Sequence, residues 1–152
     1  MSAINWFHRT CGKWTSERRY LFAPAFKPVN MTTEFEITNI RSNKFQVDWT
    51  GKTAGQMILT LEDDVLHRSR DYFGDGANSS TVEVIDHDCL VLRTSYDGMR
   101  FREEVRMLEE DMFRLRQTVG YDLRTGQLRI AGQYLEQRIL TKPFSLGHLV
   151  VV

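Results

Sequence analysis

The chain has 152 residues, of which 41% are hydrophobic and 26% charged, the range of one soluble globular domain that buries about two-thirds of its unfolded surface. Lysine plus arginine and aspartate plus glutamate number 20 each, so the formal charge is zero and no global field gathers nucleic acid or an anionic membrane surface. No apolar run approaches the roughly 20 residues of a membrane span, and the opening "MSAINWFHRTCGK" lacks the apolar core of a secretion signal, so the expectation is a soluble, intracellular chain.

The first predicted element is a short amphipathic helix from Ile4 to Cys11. Ile4, Phe7 and Cys11 recur at helical spacing, Ser2 is a natural N-cap and Gly12 a natural stop. Next comes a series of short stretches, most of them alternating apolar and polar residues: "KWTSERRYLF", "TEFEITNI", "KFQVDWTG", "GQMILTLE", "VLHRSRDYF", "SSTVEVID", "CLVLRTSYDG", "MRFREEVRML", "DMFRLRQTVG" and "QLRIAGQYLEQRI". Turn formers separate them, as in "FGDGANSS", "YDGM", "EEDM" and "LRTGQL", while Pro24 and Pro28 bracket a loop in "APAFKPVN". About ten strands with no helix between them predict an all-β, antiparallel up-and-down meander. Closure into a barrel is the economical solution, because an open sheet of that width leaves two long edges exposed; such a barrel has room for one small ligand. A single domain over residues 1–152 is expected. Within it, the tail at 140–152 is a last strand, a docking segment or an extension; its sequence leaves the three open.

Cys11 and Cys89 sit in no CxxC and read as free thiols. The histidines make no metal-binding spacing, so no metal is expected, and "IDHDCL" around His87 reads as a solvated turn.

The last strands carry the chemistry. In "FRLRQT", Arg114, Arg116 and Thr118 share one face and Phe113, Leu115 and Val119 the other. Arg100, Arg102, Glu104 and Arg106 share a face in the strand before, and Gly132, Tyr134, Glu136 and Arg138 in the strand after. By periodicity alone such faces read as solvated surface with weak cross-strand pairs. The alternative is a ligand cavity, in which guanidinium forks grip carboxylates and aromatic rings such as Trp14, Trp49, Tyr72, Tyr96 and Tyr134 offer flat surfaces. That alternative turns Phe113, Leu115, Leu135 and Ile139 outward, and they then need cover from the N-terminal helix, the tail or a second copy in a homodimer.

In order and wording, "FHRTCGKWTSERR", "YFGDG", "TSYDGMRFREEVR", "FRLRQTVG" and "GQYLEQRI" resemble the S-type phycobiliprotein lyases, the CpcS/CpeS family, over about Ile4 to Ile139. The likeness is nearest the phycoerythrin-associated CpeS-like branch, in "REE", "RLRQTVG" and the string from Gly132 to Arg138. It implies a ten-stranded calycin barrel of the lipocalin or fatty-acid-binding kind with an added helix. It implies a lyase that takes a linear tetrapyrrole, a phycobilin such as phycoerythrobilin, as substrate rather than cofactor and joins it by a thioether to a cysteine of an apo-phycobiliprotein. The implied partner is a phycoerythrin-like subunit, and the implied place is the cytoplasm of a cyanobacterium or its phage-infected host, or a plastid stroma. Carried over residue by residue, the functional pair is Arg116 and Glu136: the arginine binds a propionate, helped by Arg114, and the carboxylate hydrogen-bonds the pyrrole nitrogens. Trp14, Trp49, Tyr134 and one of Arg18 or Arg19 complete the implied pocket. Adjacent strand residues face opposite ways, so only one of those two arginines points inward. A carrier of bilin, haem or fatty acid without transfer activity uses the same barrel and stays open as an alternative.

Overall fold

The computed structural model describes residues 2–69 and 78–140. Among them, ten strands close into one antiparallel barrel in which each strand pairs with the next in sequence and the first pairs with the last. After helix α1 (Ala3–Arg9) come β1 (Gly12–Phe22), β2 (Pro28–Arg41), β3 (Lys44–Thr50), β4 (Gly55–Glu62), β5 (Val65–Arg68), β6 (Asn78–Asp86), β7 (Cys89–Tyr96), β8 (Met99–Leu108), β9 (Phe113–Asp122) and β10 (Leu128–Ile139). The expected meander is thus present and has no free edge. The "YFGDG" turn, with Tyr72, and residues 141–152 of the tail lie outside the described residues.

Local chemistry sets the connections. β7 and β8 meet in a two-residue hairpin turn at Asp97 and Gly98, both with positive φ (52° and 71°), the pairing that an Asp-Gly turn accommodates. The helix begins at Ser2, whose hydroxyl accepts from the Asn5 amide at 3.4 Å, and ends at Thr10. Gly12, with φ of 132°, redirects the chain into β1; a Cβ there would lie 2.4 Å from an Arg138 guanidinium nitrogen.

Inward side chains of the strands meet in a core that includes Trp14, Phe35, Phe45, Met57, Leu66, Leu90, Val105 and Met107. Trp6 and Phe7 of α1 belong to the same cluster, so the helix closes one end of the barrel, the base. Arg9 bonds Asp88 in the β6–β7 turn and Asp111 in the β8–β9 turn at 2.6 Å each, and the Trp6 indole donates to the Asp88 carbonyl at 2.9 Å. The "IDHDCL" turn is therefore a clamp for the helix and not merely a solvated connection, although His87 itself is exposed. The helix does not cover the outer apolar side chains of the late strands: with its aromatic residues committed to the base, Leu115 and Leu135 remain 42% and 47% exposed. No helix among the described residues is long and apolar enough to cross a membrane.

Candidate functional site

Alternation decides which charged residues enter the barrel. On β9, Arg114 and Arg116 are buried, and on β10 so are Tyr134 and Glu136. These strands carry their arginine and glutamate on the concave side, as the cavity alternative requires. On β8 the solvated-surface reading holds instead. Val105 and Met107 are in the core, so Arg100, Arg102, Glu104 and Arg106, one step out of phase, point outward, where Arg102 pairs with Glu104 and Arg106 with Asp86 across exposed surface. The inward charge of β8 is Glu103.

These groups form one network. Glu136 is fully buried: its Oε1 accepts from Arg114 Nε at 2.9 Å and Nη2 at 2.7 Å, and its Oε2 accepts from Arg116 Nη1 at 3.3 Å. Arg116 Nη2 donates to Glu103 at 2.8 Å, and the same Glu103 oxygen accepts from the Thr118 hydroxyl at 3.2 Å. Arg114 reaches down to the hydroxyl of Thr10, the residue that ends α1, and so couples the network to the base. Burial by itself would raise the Glu136 carboxyl, but the Arg114 and Arg116 charges, with bonds from Ser16 and Arg114, hold it down to about 2. Glu103 is likewise lowered: burial opposes ionisation, and the adjacent Arg116, the charge of Arg68 and the Thr118 hydroxyl overcome it. Buried ion pairs of this kind are weak contributors to stability compared with apolar packing, so a network of them inside a barrel points to a task.

The remaining expected residues distribute around this network. Arg18 is the inward member of "SERR": its Nε donates to Ser16 at 3.0 Å and its guanidinium lies 5.2 Å from the Tyr134 ring centre, whereas Arg19 faces out and bonds Asn30 at 3.0 Å. Tyr134 stacks between cations, with Arg116 at 4.5 Å from its ring centre, and burial pushes its hydroxyl pKa up. Trp14 is fully buried beneath the arginines, with Arg138 at 4.4 Å and Arg114 at 5.2 Å from its ring, and its indole donates to the Thr10 carbonyl at 2.9 Å. It supports the network and presents no face to a ligand. Arg138 is spent at the base, where it donates to the carbonyls of Arg9, Cys11 and Asp111 at 2.6–2.9 Å and so caps the end of α1. Trp49 lies on β3 in step with buried Phe45 and Val47, packed against the core with its ring over Gly55.

Sequence reasoning missed two inward charges, Glu103 and Arg68. The signal was present in both cases as a charged residue in step with core residues: Glu103 with Val105 and Met107, and Arg68 with Leu66. Among the described residues, no group of histidine, cysteine, aspartate or glutamate side chains could hold a metal ion. The polar network lies on one side of strands β8, β9, β10 and β1. On their other side is a surface groove of about 840 Å³, floored by Leu115 and Leu135 and rimmed by Glu17, Arg19, Glu104 and Arg106.

No family model matches the chain. It is 26% identical, over 171 aligned positions, to a protein of Picosynechococcus sp. with the provisional designation chromophore lyase CpcV, spanning 88% of this chain and 79% of that one. It is 25% identical over 166 positions to a Nostoc sp. protein with the provisional designation phycocyanobilin lyase CpcS 2, spanning 90% and 91%. The chain is similar to both of these proteins along most of its length. Its fold is that of the S-type phycobiliprotein lyase CPES from Guillardia theta, with a TM-score of 0.72 and 19% identity over 93% of this chain and 95% of that one. The overall resemblance to chromophore lyases and the closed ten-stranded barrel therefore both stand.

Proposed function

We propose that this chain is a phycobilin lyase: it holds a linear tetrapyrrole in the polar half of the barrel and presents it to a cysteine of an apo-phycobiliprotein. The observation that carries the proposal is the division of the interior. The base is filled by Trp6, Phe7, Trp14, Phe45 and Met107, while the other half is lined by Arg18, Arg116, Glu103, Thr118 and Tyr134. A fatty-acid carrier needs the reverse, a deep apolar channel. A bilin suits this interior because it joins a flat conjugated system, which Tyr134 can face, to pyrrole N–H donors and carboxylate side chains.

The chemistry is an addition. The client thiol adds across the exocyclic double bond of the first ring: a carbon–sulfur bond forms, the π bond breaks, and the thiol proton ends on bilin carbon. No group leaves and no redox partner is needed. The lyase contributes by fixing one conformer and one exposed face of the ring, the orientational part of catalysis. Protonation of the pyrrole nitrogens makes that double bond more electrophilic, and an ionised carboxylate beside them favours it. Glu136 was the expected carboxylate, yet both its oxygens are enclosed by guanidinium groups. Glu103, partly accessible and held ionised, is the carboxylate we assign to the pyrrole nitrogens, with Glu136 positioning Arg116 and Arg116 holding Glu103. The reactive cysteine belongs to the client. Cys11 and Cys89 are raised in pKa by burial and so are poor nucleophiles.

Phycoerythrobilin as the pigment, and a phycoerythrin-like subunit as the client, are the finer choices we propose from the CpeS-like strings. Co-incubation with phycoerythrobilin and an apo-phycoerythrin subunit tests the whole. A lyase gives a coloured complex and passes the colour covalently to the client; a carrier gives the complex alone; a protein that binds no pigment overturns the reading.

A further inference from the structure

We propose that Arg68, on β5, binds a carboxylate of the ligand, so that together with Arg18 it makes the barrel a site for a dicarboxylate. This rests on the bilin-binding reading above and names a residue on a wall of the barrel, four strands from β1, where the late-strand motifs have no part.

The first argument is placement. Arg68 is in step with buried Leu66 and therefore points inward. Its Nη1 donates to Asn78 Oδ1 at 3.3 Å and to the Ser80 hydroxyl; Ser80 is itself buried and bonded to the Thr94 hydroxyl. This polar string across β5, β6 and β7 keeps the guanidinium within the barrel instead of letting it extend to solvent. The second argument is charge. Among the described residues, the polar half of the interior contains the arginines Arg18, Arg68, Arg114 and Arg116 and the carboxylates Glu103 and Glu136. Glu136 pairs with Arg114 and Arg116, and Glu103 with Arg116. No carboxylate among the described residues lies within salt-bridge distance of Arg18 or Arg68, although Arg68 is near enough to Glu103 for its charge to favour that group's ionised form. The described residues of this half of the interior therefore have an excess of two positive charges, carried by guanidinium groups on separate walls. A phycobilin brings two propionates, which neutralise both. A monocarboxylate such as a fatty acid leaves one arginine unmatched.

Biliverdin and its dimethyl ester serve as probes, titrated by absorbance into the wild type, Arg68→Met, Arg68→Lys and Arg18→Met, each first shown by thermal melting to be folded. Wild type is expected to prefer the diacid to the diester. Arg68→Met should bind the diacid about tenfold more weakly or worse and the diester within about twofold of wild type, since only a charge-assisted bond has been lost. Arg68→Lys should recover most of the diacid affinity, and Arg18→Met should lose a similar factor. Equal affinity of wild type and Arg68→Met for the diacid overturns the assignment of Arg68, as does an equal loss for diacid and diester, which would trace to packing. A wild type that binds both probes alike overturns the dicarboxylate site while leaving bilin binding intact. A wild type that binds neither overturns the bilin reading and this inference with it.

Discussion

Glu136→Gln isolates what the buried network does to stability. The carboxylate is fully enclosed and receives three N–H bonds from two guanidinium groups at 2.7–3.3 Å. An amide of the same shape keeps one acceptor oxygen but turns an NH2 toward a guanidinium and leaves two cations facing one neutral group. The two guanidinium groups also hold the carboxyl down from 4.5 to about 2, which at ~1.4 kcal/mol per tenfold corresponds to roughly 3 kcal/mol. Removing one member of a buried pair costs ~3–5 kcal/mol in comparable cases, so the two routes agree. Against a total stability of roughly 5–15 kcal/mol the variant should still fold, with a melting temperature about 6–12 °C lower for a chain of this length.

The pH dependence has a definite sign. Because the folded value lies below 4.5, the contribution of Glu136 is complete above about pH 4.5 and is lost as pH falls through about 2. The gap in melting temperature between wild type and Glu136→Gln should therefore be constant from pH 7 to about pH 5 and narrow as the pH is lowered toward 2. Thermal unfolding followed by circular dichroism at a series of pH values measures it. A variant that melts within about 2 °C of wild type at pH 7, or a gap that does not narrow in acid, would refute the account of Glu136 as the ionised bridge between Arg114 and Arg116.

Three further outcomes follow from the same geometry. Arg116→Ala should weaken bilin binding by about tenfold or more in an absorbance titration, because it leaves Glu103 without its salt-bridge partner and facing a dianionic ligand; wild-type affinity would remove Arg116 from the site. The double variant Cys11→Ser, Cys89→Ser should retain covalent transfer to the client, with stability lower by roughly 1–3 kcal/mol for hydroxyls placed at a half-buried and a buried position; a stable double variant that binds bilin but transfers none would move the chemistry onto this chain. Gly120→Ala should destabilise by roughly 1–3 kcal/mol in urea unfolding, since a Cβ there would lie 2.5 Å from an Ile130 methyl and 2.8 Å from the Phe101 ring.

The barrel was legible because closure depends on signals that each strand carries by itself: period-two alternation, turn residues such as Asp97 and Gly98, and the absence of any long helical segment. The helix was legible for the same reason, from Ser2 at its start to Gly12 at its end. Where the helix packs was not, because Phe7, Trp6 and Arg9 find their partners in Phe45 and in the turns at Asp88 and Asp111, far away in sequence. Within the site, Arg18 could be told from Arg19 only as an alternative, since parity says that one of them enters the barrel without saying which.

β8 is the most instructive strand, because its charge-rich face is the solvated one and its inward charge, Glu103, was not singled out. Counting charge selects Arg100, Arg102, Glu104 and Arg106, the face on which charge is abundant; but abundance is what solvent permits, and those residues make only exposed pairs. A functional charge inside a barrel is instead rare on its own face, because every buried ion must be matched by a partner across the cavity, and the rest of that face must supply the packing that keeps water out. Glu103 ahead of Val105 and Met107, Arg68 after Leu66, and Arg114 and Arg116 ahead of Gly120 all share that form: a single charge or a short pair on an otherwise core-forming side. The same physics explains why the network is neutral where it is densest and positive toward Arg18 and Arg68. A protein can hold a buried carboxylate only beside cations that it has already placed, whereas a cation intended for a ligand must be left without one, at a place where water solvates it until the ligand arrives.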